Sequence, residues 1–172
     1  MDNNKILVFE NFLDVKDFEN IKRTITDVSF PWHYNSSICQ EEDEREKLDN
    51  CQFVHLFYKS NPRFEISPHF PILVPLLERL KVDSLCRIKA NLNLRTEKPV
   101  KHCFHDDHKI DLFYSSILYI NDNDGGTYIK DKFIESKSNR MVLFPSQILH
   151  SGVSQTNTKR RLVINTVFTI NG

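Results

Sequence analysis

The 172-residue sequence contains only four glycines and one tryptophan, carries no net charge, and has no Cys-x-x-Cys pair. No apolar stretch approaches the roughly 20 residues needed to span a bilayer, and the run after Met1-Asp2-Asn3-Asn4-Lys5 is too short for the hydrophobic part of a secretory leader. The chain is therefore expected to be soluble and cytoplasmic, with no membrane partner. With 23 Lys+Arg against 23 Asp+Glu, no global field holds nucleic acid or anionic lipid, and no basic stripe with interleaved aromatics is present. No nucleic-acid partner is expected. Cys39, Cys51, Cys86 and Cys103 are scattered, which is neither a disulfide framework nor a thiolate zinc signature, so they read as reduced thiols. There is no internal repeat and no linker long enough to divide the chain. Residues 1–172 are expected to form one domain, for which 40% hydrophobic content supplies a core.

The first part of the chain reads as helical and the remainder as strands. Ile6-Leu7-Val8-Phe9 suggests a short strand. Asp14 is a candidate N-cap for a helix to Thr26, with Val15, Phe18, Ile21 and Ile25 at three- and four-residue steps. Gln40 to Asn50 is charged without apolar periodicity and reads as an exposed loop, with a lid as the other reading. It separates Phe30-Pro31-Trp32-His33-Tyr34, where Trp32 reads as a packing residue, from a strand over Gln52 to Tyr58. A second helix is expected from Ile72 to Leu80, set off by Pro68 and Pro71. From Leu85 to Leu94 apolar and polar residues alternate, placing Arg87, Lys89, Asn91 and Asn93 on one face and Ile88, Ala90, Leu92 and Leu94 on the other. Phe113 to Asn121, Thr127 to Lys130, Met141 to Phe144 and Arg161 to Ile170 are further strands, separated by turn-forming clusters such as Asn121-Asp122-Asn123-Asp124-Gly125-Gly126. Helices followed by antiparallel strands predict an α+β fold whose strands form a double-stranded β-helix (jelly roll), with the N-terminal helices packed on one sheet.

The densest chemistry lies in His102-Cys103-Phe104-His105-Asp106-Asp107-His108. In an extended segment His105 and Asp107 point to the same side and can close on one metal ion. A third ligand must come from elsewhere, and His150, 45 residues downstream just past the strand Met141-Val142-Leu143-Phe144, is the candidate. Two imidazoles and one carboxylate on one side of a metal leave its other positions open, the arrangement non-haem Fe(II) uses. A zinc site from His102, Cys103, His105 and His108 fits the common spacings poorly. Asp106 is the alternate carboxylate. Lys159-Arg160-Arg161 opens the last strand, ten or eleven residues beyond His150. A guanidinium there would pair bidentately with the distal carboxylate of an iron-chelating 2-oxo acid. By alternation only one of Arg160 and Arg161 points inward. Asn91 and Asn93 are candidates for lining the same site, and Tyr119, on the strand face of Ser115, for hydrogen-bonding a cosubstrate.

The ordered set His105-x-Asp107, Tyr114-Ser115-Ser116-Ile117-Leu118-Tyr119-Ile120-Asn121, Gly125-Gly126-Thr127, Asn139-Arg140-Met141-Val142-Leu143-Phe144, His150-Ser151-Gly152 and Arg161-Leu162-Val163-Ile164-Asn165 resembles the Fe(II)- and 2-oxoglutarate-dependent dioxygenases. The likeness is nearest to their prolyl-hydroxylase-like branch, including oxygenases of marine phages and bacteria, and it covers roughly residues 85–168. It implies that His105, Asp107 and His150 bind Fe(II) and that Arg161, or Arg160 in the alternate register, holds the tail of 2-oxoglutarate. The implied reaction is hydroxylation of a C–H bond with O₂, releasing succinate and CO₂. The substrate it favours is a peptidyl proline or another protein side chain, then a free amino acid or small metabolite. No residue pattern points to an oligomeric state. The rival readings are a non-catalytic jelly-roll binding module and a cupin-type metal enzyme with non-oxidative chemistry.

Overall fold

The long strand with one apolar and one polar face organises the architecture. The computed structural model describes residues 5–38 and 50–170, so residues 40–49 of the expected loop and its lid reading lie outside the described residues. In chain order the elements are β1 (Leu7–Phe9), α1 (Val15–Thr26), β2 (His33–Asn35), β3 (Gln52–Lys59), β4 (Glu65–Ile66), a 3-10 turn (Phe70–Leu73) running into α2 (Val74–Leu80), β5 (Val82–Leu94), β6 (Tyr114–Tyr119), β7 (Gly126–Ile129), β8 (Lys132–Glu135), β9 (Met141–Pro145), β10 (His150–Val153) and β11 (Arg160–Ile170). The larger sheet runs β1-β9-β6-β11-β5-β3-β2, with β4 paired to β3, and the smaller runs β10-β7-β8. Every pairing is antiparallel.

The two faces of the larger sheet bury different things. Ile88, Ala90, Leu118, Ile120, Met141, Leu143, Leu162 and Ile164 form one core with Phe18, Ile21 and Ile25 of α1 and Leu76 and Leu80 of α2. On the opposite face Ile117, Tyr119, Val142, Phe144 and Val163 meet Ile129 and Ile134 of the smaller sheet. The helices thus cover one face of the larger sheet, and the smaller sheet covers part of the other. No helix among the described residues is long and apolar enough to cross a membrane.

Local chemistry explains where elements begin and end. Of the expected α1 stripe, Phe18, Ile21 and Ile25 are buried, but Val15 in the first turn is 77% exposed. Asp14 occupies the cap position through its carbonyl, which accepts from the Phe18 amide at 3.0 Å, while its side chain makes no cap hydrogen bond. The expected helix from Ile72 begins instead as a 3-10 turn, and α2 starts at Val74 with Pro75 in its first turn, where the missing amide is no loss. Trp32 packs as expected: its indole donates to the Ile25 carbonyl at 3.2 Å and its ring lies edge-on to Phe30. The glycine pair has a steric reason at Gly126, where a Cβ would collide with the Ile134 carbonyl of β8.

Asn139 ties the segment before α1 to the turn before β9. It adopts a left-handed φ of 59° in the turn before β9, a conformation that asparagine tolerates better than most residues. Its carboxamide accepts from the Leu13 amide at 2.9 Å and donates to the Leu13 carbonyl at 2.8 Å, both buried. Asn139→Ala leaves both backbone groups unpaired and is expected to cost about 2–4 kcal/mol. Urea unfolding checks this, and a loss under 1 kcal/mol would show that the clamp is replaced by other contacts.

His55 of β3 is buried, with Nδ1 against the Pro31 carbonyl at 2.9 Å and Nε2 against the Ser67 hydroxyl at 2.8 Å. Burial lowers its pKa from the ordinary histidine value; the Pro31 hydrogen bond opposes this and the neighbouring His69 and His33 reinforce it. The fold therefore favours neutral His55, whereas the unfolded chain takes up a proton near pH 6.5. The resulting stability is fully present above that pH and is lost as pH falls below it. The melting temperature is expected to drop between pH 7 and 5, and to drop less in His55→Gln.

Candidate active site

Backbone pairing between two distant segments assembles the site. Residues 100–107 run antiparallel to residues 146–154: the Ser154 amide donates to Val100 (2.9 Å), His102 to Gly152 (3.0 Å) and Asp107 to Ser146 (3.0 Å). In the middle His105 and His150 exchange two hydrogen bonds, at 3.0 and 2.9 Å. The extended path puts His105 and Asp107 on one side, as their spacing predicts. The pairing brings His150 to them, so that one ligand atom from each of the three lies within 4.8 Å of the others.

Each histidine is oriented from its own strand. Nδ1 of His150 lies 3.1 Å from the Ile148 carbonyl, and Nδ1 of His105 lies 3.5 Å from the Cys103 carbonyl. A carbonyl only accepts, so the proton belongs on Nδ1 and Nε2 keeps a lone pair for a metal. Burial lowers the His105 pKa, as does nearby His150, with Asp107 opposing. Asp107 is held at both oxygens: Arg87 donates to Oδ1 at 2.6 Å and the Ser115 hydroxyl to Oδ2 at 2.7 Å, with His150 Nε2 3.6 Å from Oδ2. Burial pushes its carboxyl pKa up, but His150, Arg87, the Ser115 hydrogen bond and His105 outweigh it and hold the group below the usual carboxylate range. Two imidazole nitrogens and a carboxylate held below its usual range form a donor set for a divalent transition metal with open positions.

Other metal combinations do not gather. His105, Asp107 and His150 form the one cluster of metal-ligating groups among the described residues. His108 instead stacks on Phe113, with centroids 4.0 Å apart, and accepts from the Ile110 amide at 3.2 Å. Asp106 lines the adjoining cavity without entering the cluster. Cys103 is disulfide-bonded, which corrects the expectation of four reduced thiols, whereas Cys86 is a free thiol.

The three residues open into a cavity of about 370 Å³ between the sheets, floored by the polar face of β5 and the facing residues of β11. Along this floor Arg161 sits opposite Asn93, Val163 opposite Asn91, Asn165 opposite Lys89 and Val167 opposite Arg87. The alternation read in the sequence holds, and Lys89, Asn91 and Asn93 all line the cavity. Arg161 also lines it and is only 4% exposed. Its guanidinium donates to Ser136 Oγ (3.0 Å), Thr127 Oγ1 (3.0 Å) and Asn93 Oδ1 (3.4 Å). All three partners are neutral, and among the described residues no carboxylate pairs with it. A buried, uncompensated cation is costly, and this cradle has the chemistry to accept an anion. Gly152 leaves room beside it, since a Cβ there would come no nearer than 3.9 Å to Nη1.

The remaining candidates are placed differently. Arg160 is exposed, with its carbonyl accepting from the Asn121 side chain. Tyr119 is fully buried outside the cavity lining, its ring centroid 5.6 Å from the Arg161 guanidinium carbon and its hydroxyl 3.5 Å from the Ile134 carbonyl. Sequence reasoning missed Arg87, Ser115 and Lys89. Their faces were legible, but the proximity of Arg87 and Ser115 to Asp107 depends on strand pairing. Burial pulls the Lys89 ammonium down to about 8, with Arg87 adding to the effect and Asp107 opposing it.

No family model matches the sequence, and no curated protein matches it. Solved structures do. An oxidoreductase of the 2OG-Fe(II) oxygenase family from Burkholderia pseudomallei superposes with a TM-score of 0.67 at 11% identity, over 99% of this chain and 87% of that one. A prolyl hydroxylase from Trichoplax adhaerens, in complex with a hypoxia inducible factor peptide fragment, gives 0.65 at 11% identity over 98% and 85% of the two chains. A non-heme alpha ketoglutarate dependent carbocyclase from nogalamycin biosynthesis gives 0.69 at 10% identity, over 98% and 80%. The chain has the fold of the 2-oxoglutarate- and Fe(II)-dependent oxygenases.

Proposed function

We propose that this chain, as one domain over residues 1–172, is an Fe(II)- and 2-oxoglutarate-dependent dioxygenase that hydroxylates a C–H bond, and that its two facing sheets are a double-stranded β-helix. The observation that carries this reading is the pairing, in one cavity, of a His105-Asp107-His150 donor set with the buried, uncompensated guanidinium of Arg161. A closed structural metal site would not need the second feature. The same feature weighs against a non-oxidative cupin-type enzyme or a non-catalytic module.

His105, Asp107 and His150 would hold the iron, and Arg161 the distal carboxylate of 2-oxoglutarate, with Tyr119 beneath it and Asn91 on the same floor. Bound iron supplies the oxygen chemistry that couples conversion of 2-oxoglutarate to succinate and CO₂ with hydroxylation of the substrate. The protein fixes the ligands and excludes water. Arg87 and Ser115 clamp the two oxygens of Asp107, so the carboxylate enters the site ionised and in one orientation. Ile117 and Val163 provide apolar wall where the cosubstrate would lie. For the substrate, the resemblance read from the sequence and the peptide-bound Trichoplax adhaerens neighbour favour a prolyl or other protein side chain.

Anaerobic titration of the Fe(II)-loaded protein with 2-oxoglutarate tests the reading. A weak visible charge-transfer band is expected in the native chain and absent in Asp107→Ala; iron binding without the band would sink the proposal. Arg161→Ala should raise the 2-oxoglutarate requirement roughly 100- to 1000-fold, while Arg160→Ala should not. Turnover undiminished in His150→Ala would remove His150 from the ligand set. Arg87→Met frees one Asp107 oxygen and should weaken Co(II) binding about 10- to 100-fold in a spectrophotometric titration.

A further inference from the structure

Among the described residues, the charges lining the cavity leave one cation unassigned. Arg87, Lys89 and Arg161 line it together with Asp106 and Asp107. A ferrous ion and the 2-oxoglutarate dianion would cancel each other. Arg87 is taken by Asp107, and the proposed function gives Arg161 a carboxylate. The side chain of Lys89, half-buried on the floor, forms no hydrogen bond or ion pair with any described residue. The two carboxamides around it are also unsatisfied. Asn91 lies two residues along the same face of β5 and Asn165 directly opposite on β11, and both Oδ1 atoms are buried without a hydrogen-bond partner. One ammonium donor and two waiting acceptors therefore lie within about 7 Å along the strand and about 5 Å across it.

We infer that the substrate presents a carboxylate beside an N–H or O–H donor, and that Lys89, Asn91 and Asn165 form the subsite that takes it. This inference rests on the dioxygenase reading above. The carboxylate pairs with the Lys89 ammonium, and the adjacent donor satisfies the amide oxygens, which would repel the oxygen-rich surface of a phosphate. A ligand lacking the donor leaves buried acceptors unpaired, the situation in which sites discriminate most strongly. An amino acid has this pairing of groups, either free or as the carboxyl-terminal residue of a peptide.

Calorimetry on the full chain loaded with Mn(II) and 2-oxoglutarate tests the subsite without turnover. The probes are the twenty amino acids, their N-acetyl derivatives and their carboxamides. At least one free acid or N-acetyl acid is expected to bind, with its carboxamide at least tenfold weaker. Preference for the N-acetyl form assigns the carboxyl-terminal residue of a peptide, and preference for the free form assigns a free amino acid. Lys89→Met should lose that binding at least tenfold while retaining affinity for 2-oxoglutarate, and Lys89→Arg should recover part of it. Acids that bind no better than their amides, or no binding by any probe, would overturn the subsite. So would a Lys89→Met variant that loses 2-oxoglutarate instead, because Lys89 would then belong to the cosubstrate. Failure of the Mn(II)-loaded native chain to bind 2-oxoglutarate at all would overturn the dioxygenase reading first, and the subsite with it.

Discussion

Two backbone hydrogen bonds between His105 and His150 hold the candidate site together. Neither residue lies in a long ladder: the stretch before β6 touches β10 through isolated bridges at Lys101 and His105. That pairing nonetheless sets the separation of the two imidazoles and the direction in which Asp107 points. It also carries Asp107 to Arg87 and Ser115, on two neighbours of β11 in the larger sheet. A side-chain constellation can be only as well ordered as the backbone beneath it, and here the backbone is fixed by amides and carbonyls that any residue except proline would supply. The identity of His105 and His150 is thus free to serve the proposed metal.

The larger sheet solves a conflict of solvation. One face contacts helices and is mainly apolar, with Ser116, Thr166 and His55 its buried polar exceptions. The other must hold three cations, two carboxylates and several amides next to an apolar wall. Antiparallel strands allow this because alternate residues face opposite ways, and β5 and β11 keep the alternation in step for most of their pairing. The cost of burying Arg161 and Asp107 is offset within the fold for Asp107, by Arg87 and Ser115, and is left open for Arg161. That difference between the two charges is the chief structural argument for an anionic ligand.

Much of this was legible in the sequence, for identifiable reasons. The Leu85 to Leu94 alternation extends over enough residues to set both faces of β5, and the i, i+3, i+7 spacing of Phe18, Ile21 and Ile25 marks the buried face of α1. His105 and Asp107 could be paired because two residues apart in an extended chain is a local relation. Choosing Arg161 over Arg160 needed the register of β11 against β5. The Arg87–Asp107 ion pair needed tertiary structure, since nothing within 20 residues of sequence separation signals it. The short strands β2, β4, β8 and β10 escaped because two to four residues carry no periodicity, and they lack the unbroken apolar run that marks the equally short β1. The left-handed turn between β7 and β8 is made by Lys130 rather than by the glycine or asparagine that usually marks such a position.

The pairing of β5 with β11 also bears on how the protein acquires its site. Lys89 meets Asn165, and Asn93 meets Arg161, across 76 and 68 residues of chain. Closing loops of that length is entropically uphill until many contacts form together. The cavity floor is therefore not a module that a folding chain can assemble early and keep. Each half of it presents unpaired cations and amides until the other strand arrives, so the site comes into existence in the same cooperative step as the sheet that carries it.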